Sequence, residues 1–198
     1  MNSPLPDLSL ATEAEQIAAV QRNGWRIEFI KNPSEAVQLA AVQPDAWIIR
    51  FIKNPSEAVQ LAAVQKELGT IGYIKNPTLA VQLFVVQQSG SRIGNIKKPA
   101  PAVQMAAIRN DVYAIQHIRN PCESAQMFAV EFDPQFIRSI KKPTHTVAML
   151  GLLGLVYNGW VDKSLTRKLF MTQLKRIHQL YPDSDDLKTI ADDIGVTL

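Results

Sequence analysis

The chain has 198 residues, of which 46% are hydrophobic and 20% charged, with a formal net charge of +3. A single cysteine, Cys122, excludes an intramolecular disulfide framework and suits a cytoplasmic protein. The opening MNSPLPDLSL lacks the basic stretch and apolar run of an ordinary secretory signal.

In chain order, residues 1–22 read as a leader running into a degenerate capping repeat. Ala14, Gln16, Ile17, Ala18, Ala19, Val20 and Gln21 already fall in register with the later copies. Residues 23–143 are then one short unit in tandem, with proline at 33, 55, 77, 99, 121 and 143, a constant spacing of 22 residues. A unit this short cannot bury its own apolar face and must stack on its neighbours. Ile30, Ile52, Ile74, Ile96, Ile118 and Ile140 precede each proline by three positions, and Ile27, Ile49, Ile71, Ile93, Ile115 and Ile137 by six.

The segment after each proline predicts an α-helix of about three turns. Asn32, Asn54, Asn76 and Asn120 are the expected N-caps, with proline at the first helical position. Glu35, Glu57 and Glu123 then stand where a carboxylate closes a capping box. The segment before each proline, such as residues 47–53, admits two readings. Isoleucines at i and i+3 suit a helical face, whereas Trp25, Ile27 and Phe29 alternate as in a strand, and Gly69, Gly72, Gly90 and Gly94 weaken a helix. The isoleucine spacing is kept in every copy while the aromatic column decays to Asn95, His117 and Ser139, which favours two short helices per unit. A strand-plus-helix horseshoe is the alternative.

Residues 144–198 change character. The apolar run 147–156 is too short to span a membrane and reads as a buried helix closing the last unit. Asp162 is expected to open an amphipathic helix through Leu180, with Leu165, Leu169, Phe170, Leu174 and Ile177 on one face, stopped by Pro182. A last short helix over 185–194 should end at Gly195. The fold class is therefore all-α: an α-solenoid of two-helix repeats with a C-terminal helical cap.

Charge is unevenly placed. Residues 23–143 hold 14 Lys and Arg against 9 Asp and Glu, a net +5, while the cap is balanced at 6 against 6. Lys31, Lys53, Lys75, Lys97, Arg119 and Lys141 share one column, and Lys98 and Lys142 add a second cation in two copies. Such a column either neutralises a helix C-terminus and links to the next turn, or presents a ladder of cations to an acidic protein surface or a phosphate backbone. Aromatic residues are not interleaved with it as base-stacking platforms would require. A glutamine column, Gln16, Gln38, Gln60, Gln82, Gln104 and Gln126, either satisfies free carbonyls of adjoining turns or grips an extended peptide.

Catalytic chemistry has little support. His117, His145 and His178 have no ligand-like spacing, and Asp183, Asp185 and Asp186 lack the glycine and distal glutamate of a calcium loop. Phosphate-cradling loops, nucleophile elbows and paired catalytic carboxylates are missing, so neither cofactor nor metal is expected. Cys122 fills a position held by Ser34, Ser56 and Thr78 in other copies and reads as a small-residue substitute.

The run IKNPSEAVQLAAVQ, with a following segment such as YAIQHIRNP at Tyr113 to Pro121, resembles short helical repeats of phage and bacterial proteins of unknown function. Their units take the form NPxxxVQLAAVxxxGxAIxxI, and the resemblance covers residues 12–150. It consists of framework positions and implies no functional residues. What it implies is a non-catalytic protein-interaction scaffold, of which a phage inhibitor of a host defence complex, such as an anti-CRISPR protein, is one concrete instance. The expected partner is a protein with an acidic surface, met by Lys31, Lys53, Lys75, Lys97, Lys98, Arg119, Lys141 and Lys142, with no membrane involved. A nucleic-acid module using the same cations is the first alternative, and an enzyme with its site in the C-terminal cap the second.

Overall fold

The computed structural model describes residues 8, 10–157 and 164–197. Each repeat pairs an α-helix with a 3-10 helix. The α-helices are α1 (Glu13–Arg22), α2 (Glu35–Val42), α3 (Glu57–Lys66), α4 (Leu79–Gln88), α5 (Pro101–Asn110), α6 (Glu123–Phe132), α7 (His145–Tyr157), α8 (Ser164–Leu180) and α9 (Asp185–Asp193). The 3-10 helices are η1 (Gly24–Phe29), η2 (Ala46–Phe51), η3 (Leu68–Tyr73), η4 (Gly90–Asn95), η5 (Val112–His117) and η6 (Pro134–Arg138). No strand occurs among the described residues, which removes the horseshoe and leaves the two-helix unit.

The 3-10 form explains why the sequence reads as both helix and strand. At three residues per turn, positions i and i+3 eclipse, so Ile27 and Ile30 lie on one line and are 2% and 5% exposed. Trp25 and Phe29 fall on other lines and stay exposed. Five of the six turns are started by a polar column that the sequence pattern alone does not single out. Asn23, Asp45, Glu67, Asp111 and Asp133 accept the backbone N–H two residues on, as Asp45 Oδ1 does from Trp47 at 2.9 Å. An isoleucine ends η1, η2, η3 and η5, Ile30 N–H donating to the Ile27 carbonyl at 3.1 Å, whereas η6 ends at Ser139.

The α-helix caps differ from the sequence expectation. The N-cap is Ser34 or Ser56, not asparagine, and the proline lies outside the helix, one residue before the cap. The Ser34 hydroxyl accepts from Val37 N–H at 3.3 Å, which puts Glu35 at the first helical position, too early for a capping box. Asn32 is left exposed in a bend with φ +56°, a conformation asparagine tolerates. A capping box does form in α1, between Thr12 and Glu15.

By contact the chain gathers into two compact units, Met1–Gln88 with Asn95–Lys98, and Ser89–Gly94 with Pro99–Leu198. In the first, α1 packs on α2, α2 on α3 and α3 on α4, while η1 meets η2 and η2 meets η3. Val37, Val59 and Val81 are fully buried, as are Ala41 and Ala63. Each valine contributes roughly 1.5–3 kcal/mol by leaving water.

In the second unit α5 packs on α6 and α6 on α7, and η6 lies against α7. Gly151 and Gly154 let α7 come that close, since a Cβ on Gly151 would stand 2.9 Å from Ile137 Cβ and one on Gly154 2.4 Å from Pro134 Cγ. The apolar run is thus the buried closing helix expected, with Val147, Ala148 and Leu152 at zero exposure. Asp162 lies outside the described residues, as do the side chains of Leu165 and Leu169. Phe170, Leu174 and Ile177 are buried as predicted. Arg176 ties α8 down by donating from Nη2 to the Ile137 carbonyl at 2.8 Å, and burial lowers its pKa from the ordinary arginine value. Helix α9 is capped by Ser184 and ends at Gly195 (φ +68°), with Gly195 N–H on Asp192 and Val196 N–H on Ala191, the paired bonds of a Schellman motif.

Candidate partner-binding face

The cation column sits in the bend between each 3-10 helix and the next proline. In the first unit Lys31, Lys53, Lys75, Lys97 and Lys98 are all exposed, and in the second so are Arg119, Lys141 and Lys142. Among the described residues none of these eight side chains makes an ion pair or hydrogen bond. No bond ties them to a following turn, so their charge faces solvent.

The glutamine column is a set of internal clips. Gln38, Gln60, Gln82, Gln104 and Gln126 each donate from Nε2 to the carbonyl of the proline five residues earlier, at 2.8 to 3.0 Å. Three of them also reach forward by 18 residues: Gln60 Oε1 accepts Thr78 N–H at 3.1 Å, Gln104 accepts Cys122 at 2.7 Å and Gln126 accepts Thr144 at 3.1 Å. This is the carbonyl-satisfying role, extended to the neighbouring repeat. Gln38 and Gln82 differ, because their Oε1 atoms are buried with no partner among the described residues. Gln16, in the degenerate copy, donates to the Leu8 and Ala11 carbonyls.

Both exceptions line recesses of the first unit. One, of about 470 Å³, lies between the bends at Lys31 and Lys53, with Phe29, Phe51, Asn32, Asn54, Glu28 and Gln38 in its walls. The other, of about 460 Å³, lies between the bends at Lys75 and Lys97, with Lys98, Asn76, Asn95, Gly72 and Gln82. Phe29 and Phe51 therefore share a recess with Lys31 and Lys53. A period of 22 puts residues 29 and 51 on the same wall, although in sequence each belongs to its own turn.

An aromatic face continues from there. Trp25 packs on Phe51 with ring centroids 4.6 Å apart, and the Arg50 guanidinium lies 5.1 Å from the first ring and 5.0 Å from the second, within cation–π range. Trp47 meets Tyr73 edge-on at 5.5 Å. Trp25 and Tyr73 remain about half exposed, at 48% and 52%.

The second unit has its own recess of about 590 Å³, walled by Tyr113, Gln116, Asp133, Gln135, Arg138 and Gln173 among others. At its C-terminal end His145 Nε2 lies 2.9 Å from Ser184 Oγ and 3.9 Å from Asp186 Oδ2. A hydrolytic relay needs the carboxylate on the other ring nitrogen, and Ser184 Oγ already caps α9 by accepting from Leu187 N–H at 3.4 Å. Cys122 is the N-cap of α6 without the side-chain cap bond that Ser34 and Ser56 make, its Sγ lying 3.3 Å from Ser124 Oγ. Among the described residues no cluster of three or more His, Cys, Asp or Glu could hold a metal, and no helix is long and apolar enough to cross a membrane.

No family model, curated protein or solved structure matches the chain.

Proposed function

We propose that this chain is a non-catalytic protein-interaction scaffold that docks on an acidic protein surface. The observation that carries the reading is the row of Lys31, Lys53, Lys75, Lys97 and Lys98, exposed and unpaired on successive bends of one unit. Cations held at regular spacing on a stiff frame steer an acidic partner and fix its register at little ordering cost. The half-exposed aromatics Trp25 and Tyr73 add the kind of anchor that interfaces favour. An inhibitor seated on a host defence complex is one instance of such a scaffold.

Affinity capture from a lysate, with and without nuclease, tests the reading when the parent is compared with the quadruple variant Lys31→Gln, Lys53→Gln, Lys75→Gln and Lys97→Gln. The parent should hold protein after nuclease and release it with salt, and the variant should not. A second reading, nucleic-acid binding, draws support from Phe29 and Phe51 standing beside Lys31 and Lys53. It takes over if nuclease abolishes capture.

A further inference from the structure

We infer that the two recesses of the first unit act together as a bipartite site for an extended acidic peptide segment, a conclusion that rests on the interaction-scaffold reading. The first support is where the recesses lie: each is bounded by two successive bends and ringed by their exposed lysines and asparagines. A phosphodiester backbone, charged along its whole length, would set phosphate against Glu28 in the first recess, whereas a peptide carries charge only where its side chains do.

Charge and wall chemistry then assign the two ends. The second recess combines Lys75, Lys97 and Lys98 with no carboxylate in its walls, so it takes acidic side chains. The first sets Glu28 against Lys31 and Lys53 and adds the rings of Phe29 and Phe51, so it takes an apolar side chain. Exposed amides at Asn32, Asn54 and Asn76 border the recesses and can hold the peptide main chain between them. The recesses are two repeats apart. Helices pack about 8–10 Å apart, so the recesses are separated by roughly 20 Å, which an extended chain covers in about six residues.

The test uses the full chain and fluorescein-labelled peptides of about 14 residues in a Gly/Ser background. Each carries one phenylalanine and a pair of glutamates set about six residues apart, in either order, or at about two or ten apart as controls. Anisotropy should rank one of the six-residue spacings tightest. The double variant Lys97→Gln, Lys98→Gln, altering two exposed side chains, should weaken it about tenfold and flatten its salt dependence. Phe29→Ser should remove the preference for phenylalanine over serine in the peptide without touching the salt dependence. Equal binding of all spacings, no binding of any peptide, or displacement by a short single-stranded oligonucleotide of the same charge would each overturn the inference. If peptides fail while the quadruple lysine variant still loses lysate capture, the bipartite site is wrong and the scaffold reading stands. If the parent captures no protein either, both fall.

Discussion

Gln104 and Cys122 are joined side chain to backbone across a repeat boundary, Gln104 Oε1 accepting the Cys122 N–H at 2.7 Å while Gln104 Nε2 holds the Pro99 carbonyl at 3.0 Å. One amide thus satisfies two backbone groups of adjacent bends, and the side chain is 6% exposed. The same residue type at Gln38 completes only half of this clip.

That contrast sets the first prediction. Gln104→Met keeps length but strands a carbonyl and an N–H, each costing about 1–3 kcal/mol when buried unpaired. Gln38→Met strands only the Pro33 carbonyl and removes an acceptor that had no partner. Chemical denaturation should therefore find Gln104→Met the more destabilised of the two by at least about 1 kcal/mol. Equal losses would mean that the forward bond to Cys122 contributes nothing.

The glycines of α7 set the second. Gly154→Ala places a Cβ 2.4 Å from Pro134 Cγ and must push η6 away from the helix, a cost of about 1–3 kcal/mol. Gly72→Ala meets nothing nearer than 3.8 Å and should be close to neutral. Melting temperatures of the two variants check the pair, and a neutral Gly154→Ala would contradict the tight seating of α7 on η6.

Ile74, 6% exposed at the end of η3, stands in the isoleucine column that every copy keeps. Ile74→Asp would bury an unpaired carboxylate and should cost several kcal/mol. A variant that melts like the parent would show that this column is not core.

The fourth prediction concerns acid. Thr12 N–H and hydroxyl both donate to Glu15 Oε2 at 2.8 Å and hold its carboxyl below the usual glutamate range, and Lys188 does the same for Asp185 by a hydrogen bond and by its charge. A carboxyl depressed in the fold contributes stability that is complete above its unfolded value and is lost as pH falls through its folded value. Amide protection relative to the unstructured chain in the first turns of α1 and α9 should therefore fall below about pH 4. In Glu15→Gln the first turn of α1 should already be poorly protected at neutral pH and lose that acid step.

The repeating two-helix unit, the isoleucine and valine columns of its core, the closing helix over 147–156 and the position of the cations were all legible in the residues alone. Those features are local or periodic, and six copies of the proline column repeat the same signal against different neighbours. Other features depended on what each bend meets in space. A six-residue segment with isoleucines at i and i+3 satisfies an α-helix and a 3-10 helix equally, and only the stack decided for the tighter turn. Asparagine and serine flank each early proline and both can cap a helix. Serine takes the role because Gln38 and Gln60 hold the proline carbonyl behind it, and because Ser34 and Ser56, not Asn32 and Asn54, stand three residues before Val37 and Val59. The two recesses were equally hidden, since Phe29 and Lys31 meet Phe51 and Lys53 only once a turn of 22 residues has been folded, and a glutamine's free oxygen shows itself only when its neighbour fails to reach it.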